Sequence, residues 1–160
     1  MKIIRKNIGD KIIVNGHLNI ITQMTSIAMN LNYDQTVLKY IRNYKSPYFS
    51  TIVINDTILK TQPGIIPIGA SNTSPISEWD GILYQIEFEI INYTQAETPR
   101  PLIYYQDGIV KLGDQVLHGQ FNEMIAEILP PEIAVIVTPQ LTDTWLGDNN
   151  IANLKYIRRI

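Results

Sequence analysis

The 160-residue chain has no cysteine and only two histidines. Without cysteine there are no disulfides, thiol nucleophiles or thiolate metal sites, a composition that suits a reducing compartment. His17 and His118 stand apart, and neither has a second ligand-type residue at a spacing that recurs in metal sites. Long apolar runs are also missing. None approaches the roughly 18 residues needed to cross a bilayer. The opening Met1-Lys2-Ile3-Ile4-Arg5-Lys6-Asn7 lacks the apolar stretch and small-residue cleavage site of a secretion signal. The expectation is therefore a cytoplasmic protein, free or assembled into a particle made there, with no membrane partner. The glycosylation-like tripeptides beginning at Asn55, Asn72 and Asn92 are then chance matches. There is no glycine-rich phosphate loop and no nucleophile elbow, and no Ser or Thr has a local base. The sequence thus commits the chain to no reaction, cofactor or metal, and the expectation is a protein that is not an enzyme.

The composition is that of a folded globular protein, 45% hydrophobic and 18% charged, with the apolar share dominated by Ile, Val, Leu and Tyr. At this length one core suffices, so residues 1–160 are expected to form a single domain. Net charge is only −2, yet it is segregated along the chain. Residues 1–62 carry eight basic against three acidic side chains. Residues 63–153 carry two basic against twelve acidic ones, and the tail adds Lys155, Arg158 and Arg159. Such blocks could form a basic face for nucleic acid, or complementary faces that meet between copies of the chain. Alternatively, folding interleaves them and no patch exists.

Periodicity suggests a mixture of strands and helices. Lys2–Arg5 and Lys11–Val14 resemble a hairpin around a turn-rich break, and Asn15-Gly16 is a second turn signal. Ile20, Ile21, Met24, Ile27, Ala28 and Leu31 recur at three- and four-residue steps, as do Val37, Leu38, Ile41 and Tyr44, so two helices are expected up to Ser46-Pro47. Ser50–Ile54 and Thr57–Lys60 form a plausible hairpin, and 65–68 a short strand. Gly69–Asp80 has the composition of a long exposed loop. Gly81–Ile91 alternates clearly as a half-buried strand, and Asp107-Gly108 predicts a tight hairpin between 102–106 and 109–112. A third helix is expected near 120–129, because Phe121, Met124, Ile125, Ile128 and Leu129 share a helical face before Pro130-Pro131. Strands at 133–137 and at the C terminus complete the pattern. The predicted fold class is α+β and β-rich: an antiparallel or mixed, sandwich-like sheet packed by two or three helices.

Few side chains suggest chemistry. Glu87 and Glu89 share a strand face, as a two-carboxylate mechanism would require, but alternating acids also mark any solvated sheet face. Glu123 and Glu127, with Asp114 and His118 upstream, could hold a hard cation, but more simply keep a helix soluble. Trp79, between Glu78 and Asp80, and Trp145 are candidate interface anchors, or pins that hold their loops to the core. Residues 25–42 resemble a DNA-binding helix-turn-helix motif. In that arrangement Ala28 sits where the helices cross and Leu38 and Ile41 lie on the second helix. Gln35, Thr36 and Lys39 then face bases, and Arg42 and Lys45 lie near phosphates.

Two functions follow. The leading one is a non-catalytic structural or assembly protein that forms a homo-oligomer with copies of itself and with other assembly proteins. Its most concrete version is a phage or viral particle component such as a connector, tail or decoration protein. The interface would involve Trp79, Glu78 and Asp80 with the basic ends Lys2, Arg5, Arg158 and Arg159. The alternative is a DNA-binding regulator using residues 20–45.

Overall fold

The computed structural model describes residues 1–95 and 100–132. The chain divides into two compact units, Met1–Pro130 and Pro131–Ile160. Everything below concerns the first. The strands expected at 133–137 and at the C terminus, together with Trp145, Arg158 and Arg159, lie outside the described residues.

Among the described residues, ten strands form two sheets. They are β1 (Lys2–Arg5), β2 (Lys11–Ile20), β3 (Met24–Tyr33), β4 (Leu38–Lys45), β5 (Thr51–Ile54), β6 (Ile65–Ile76), β7 (Trp79–Ile90), β8 (Pro101–Leu112), β9 (Gln115–Leu117) and β10 (Met124–Leu129). One sheet runs β1-β10-β8-β3-β6-β5 with β9 added to β8, and the other runs β2-β7-β4. Apart from the parallel β1/β10 pair, neighbouring strands are antiparallel. The only helical segment among the described residues is a 3-10 turn at Thr57–Lys60. The fold is therefore a β-sandwich, and the expectation of a sheet packed by two or three helices is wrong.

The alternation that builds a sandwich is clearest in β2, where Ile12, Val14, Gly16, Leu18 and Ile20 face inward and Lys11, Ile13, Asn15, His17 and Asn19 outward. In β7, Ile86, Phe88 and Ile90 are fully buried and meet Leu31, Ile66, Leu102 and Ile128 of the other sheet in one continuous core. Tyr33 packs on Phe88 with ring centroids 4.8 Å apart. The hydroxyls of Tyr84 (β7) and Tyr105 (β8) hydrogen-bond to each other, joining the two sheets by a polar contact inside the apolar layer.

Helical spacing misled for local reasons. A register shift between Met24 and Ser26 rotates β3, so Met24 and Ile27, three apart, both point inward. In β4 a bulge between Tyr40 and Arg42 breaks the alternation, with Leu38 and Tyr40 packed on the core and Tyr44 exposed, so its helical set shares no face. In β10, Ala126 and Ile128 are buried as in any strand, while Ile125 is exposed on the opposite side and completes a false helical set. The turn signals misled too. Asp107 adopts a left-handed φ of 55°, but as a bulge within the continuous strand β8, where Asp107 and Gly108 together oppose Met29 of β3. Gly16 lies in the middle of β2, where any side chain would overlap the Tyr84 ring. The first two strands belong to different sheets and form no hairpin, and β5 leads into the 3-10 turn rather than a return strand. The polar stretch from Gly69 is not a loop: β6 continues to Ile76, and Ser77-Glu78, with Glu78 at φ 51°, passes the chain directly to β7 in the other sheet.

Candidate functional site

The two outer faces of the sandwich differ in chemistry. On the β2-β7-β4 face, Lys11 and Lys39 flank Glu89 in register, and Arg42 lies opposite Glu87. Arg42 Nε donates to Glu87 Oε2 at 2.7 Å, Lys11 Nζ approaches Glu87 Oε1 at 3.2 Å, and Lys39 Nζ lies 3.8 Å from Glu89 Oε2. Further along, His17 Nε2 is 2.6 Å from Asp80 Oδ1. Gln85 Nε2 donates to Asn15 Oδ1 at 2.9 Å. Glu87 is only 5% exposed, yet the hydrogen bond from Arg42, aided by Lys11, outweighs its desolvation and holds its carboxyl below the ordinary value of 4.5. Three basic side chains of the N-terminal block are thus paired with two acids of the block that follows, within one chain. Both glutamates are committed to ion pairs, which removes the acid/base arrangement that their spacing suggested.

The outer face of β5, β6, β3 and β8 is the opposite case. Val53 pairs with Gly69, Gly69 with Ala28, and Ala28 with Ile109, giving an unbroken apolar row across four strands. Val53 is 55% exposed and Ile109 45% exposed. The flanking row on one side is Thr51, Ser71, Ser26 and Lys111, and on the other side Pro67, Asn30 and Gln106. The nearest acid, Asp107, is engaged by Asn30 Nδ2 at 3.4 Å. Sequence reasoning missed this surface, because it depends on register between strands far apart in the chain.

A cleft of about 530 Å³ beside the 3-10 turn is lined by Tyr33, Lys39, Tyr40, Asp56 and Lys60 among others. Tyr40 Oη donates to Asp56 Oδ2 at 2.6 Å and accepts from Asn43 Nδ2 at 2.7 Å. Burial, reinforced by the Asp56 carboxylate, pushes the Tyr40 phenol up to about 12. Among the described residues no three of His, Asp and Glu gather as a metal site.

The expected site residues are scattered. Trp79 is partly buried, stacked on Tyr48 at 4.9 Å and edge-on to Phe49 at 5.3 Å, so it holds the 47–50 segment to the sandwich. Glu78 is exposed at the connection before it, and Asp80 pairs with His17. Lys2 and Arg5 lie on β1 in the other sheet, with Arg5 Nη1 donating to Pro130 O at 3.3 Å. The helix-turn-helix reading fails outright because both of its helices are strands. Gln35 and Thr36 sit in the β3–β4 turn, where Thr36 donates from N and Oγ1 to Asp34 Oδ1. Lys39 and Arg42 spend their charge on Glu89 and Glu87, and Lys45 ends β4.

Comparison with known proteins agrees with this architecture. Residues 4–116 match the model of the cohesin domain. No functionally curated protein matches at the level of sequence. Among solved structures, CaCohA2 from Clostridium acetobutylicum is 19% identical, with a TM-score of 0.60, and the match covers 81% of this chain and 87% of that one. The sixth cohesin of Acetivibrio cellulolyticus scaffoldin B, solved in complex with a mutant Cel5 dockerin, is 13% identical, with a TM-score of 0.61 and coverage of 81% and 94%. A non-cellulosomal cohesin from Archaeoglobus fulgidus is 14% identical, with a TM-score of 0.59 and coverage of 80% and 85%. The family match spans well over half of the chain, and the two-sheet sandwich agrees with it: this protein belongs to the cohesin domain family, non-catalytic modules that bind other proteins.

Proposed function

We propose that the chain binds a dockerin-type module through the outer face of β5, β6, β3 and β8. The observation that carries this reading is the uninterrupted apolar row Val53–Gly69–Ala28–Ile109, with Val53, Ala28 and Ile109 exposed and Gly69 partly so, on a face nearly free of charge. A soluble domain leaves such a patch open chiefly where something covers it. The opposite face also exposes apolar side chains, Ile13, Ile82 and Tyr44, but they stand among the ion pairs of Glu87 and Glu89 and form no uncharged row. Structures of similar fold support the choice of partner, since CaCohA2 has been solved in complex with a variant of CaDoc0917 and the scaffoldin B cohesin with the Cel5 dockerin. The assembly role expected from sequence survives in this form, whereas a virion component and a self-assembling oligomer draw no support from the family. The test is titration calorimetry of the chain against a panel of purified dockerin modules, repeated with Val53→Asp and Ile109→Asp. The expected result is a binder in the panel whose affinity both variants abolish. A panel without a binder, or a binder indifferent to both variants, would count against the proposal.

A further inference from the structure

We infer that Gly69 determines specificity on this face, by letting an apolar, uncharged partner surface approach the sheet backbone more closely than any side chain there would permit. The inference rests on the docking face proposed above. It starts from a glycine that the fold does not need. Gly9, Gly64 and Gly113 have positive φ and so require glycine. A Cβ at Gly16, Gly81 or Gly108 would collide with the ring of Tyr84, Trp79 or Phe121, and at Gly119 it would crowd Val110. Gly69 has no positive φ, and a Cβ there would meet only the Ile27 carbonyl oxygen at 3.9 Å, an ordinary contact. Neither turn geometry nor packing explains it.

Glycine inside a strand is costly, because it loses more chain entropy than other residues and adds no packing, and it often marks the close approach of another backbone. Ile68 and Ala70 are buried, so the side chain missing at Gly69 is missing from the outer face. Its partner on β3 is Ala28, and the walls on either side are Val53 and Ile109. At about 4.8 Å per strand these walls stand about 14 Å apart, with a low floor between them. With only Lys111 and Asp107 charged at the margins, what rests on that floor is held by apolar contact and not by ion pairing.

The experiment uses the tightest binder of the dockerin panel as probe and compares the wild-type chain with Val53→Asp and Gly69→Val. Valine suits a strand, so Gly69→Val is expected to melt at or above the wild-type temperature while losing at least about 30-fold in affinity, the scale of an interface hot spot. Wild-type affinity is expected to change less than about threefold between low and high salt. If the panel contains no binder, or Val53→Asp binds normally, the docking face itself is wrong and the inference falls with it. If Val53→Asp loses binding but Gly69→Val does not, or if binding weakens steeply with salt, the docking face stands and this inference is overturned. Unfolding of Gly69→Val would also overturn it, by showing that the sandwich needs the glycine.

Discussion

Arg42 on β4 donates to the carboxylate of Glu87 on β7 at 2.7 Å, and Lys11 on β2 closes on the same group at 3.2 Å, so one acid ties together all three strands of its sheet. Because the carboxylate is itself nearly buried, losing its charge would undo more than an ordinary surface pair. Its pKa is depressed in the folded state, so its contribution is present above the ordinary value of 4.5 and is lost as pH falls through the lower folded value. Thermal melts across the acid range are expected to show stability declining below that ordinary value. Glu87→Gln should lower stability at neutral pH and flatten that decline. A glutamine variant with the wild-type acid slope would mean that other carboxylates set it.

The Tyr84–Tyr105 hydroxyl pair gives a second test. Tyr84 is 1% exposed, and its only hydroxyl partner among the described residues is Tyr105. Replacing either by Phe leaves the other hydroxyl unsatisfied in an apolar layer, an expected cost of about 1–3 kcal/mol. Replacing both removes the orphan, so the double variant should be more stable than the sum of the single losses predicts. Urea denaturation of the four proteins measures the coupling. Strict additivity would show that the pair contributes nothing beyond its parts.

These residues also show how far the sequence was legible. The alternation in β7 identified a strand and the core positions Tyr84, Ile86, Phe88 and Ile90, but it put Ile82 with the core and Leu83 with solvent. Instead, Ile82 is exposed and Leu83 buried beside the register shift at Gly16/His17. Met24 and Ile27 were misread because a register shift set by a distant strand rotates the chain between them, and such a shift leaves no trace in local spacing. The charge blocks suggested a basic face or faces that meet between copies, with interleaving on folding as the alternative. Lys11, Lys39 and Arg42 interleave with Glu87 and Glu89 inside one chain, because β2 and β4 flank β7, which is a matter of topology. The candidate surface was the least legible part. Val53, Gly69, Ala28 and Ile109 are 16, 41 and 81 residues apart in the order they pair, and no periodicity links them.

Alkaline pH should probe the same core from the other side. Burial raises the phenols of Tyr33, Tyr40, Tyr84 and Tyr105 above their ordinary value of 10, with Tyr40 at about 12. A group whose folded pKa is raised contributes stability that is intact below its unfolded value and is lost as pH climbs past it. Stability is therefore expected to fall above pH 10. The phenolate absorbance of these four tyrosines should rise together with loss of the folded circular dichroism signal. Phenolate absorbance that completes while the fold remains intact would contradict their burial.

Trp79 separates anchoring from binding. Its ring stacks on Tyr48 and meets Phe49 edge-on, and Phe49 is itself buried, so the tryptophan fastens the segment after β4 to the start of β7. Being partly buried, it should cost less on truncation than the 3–5 kcal/mol typical of a core aromatic, and about 2 kcal/mol is expected for Trp79→Ala. Trp79 belongs to the three-stranded sheet, whereas Val53, Gly69, Ala28 and Ile109 lie on the outer face of the other sheet. Dockerin affinity should therefore be unchanged by Trp79→Ala at temperatures where the variant remains folded. Calorimetric titration of Trp79→Ala alongside Ile109→Asp decides between the two surfaces. Binding lost in the tryptophan variant and kept in the isoleucine variant would move the interface to the edge around Tyr48 and Trp79.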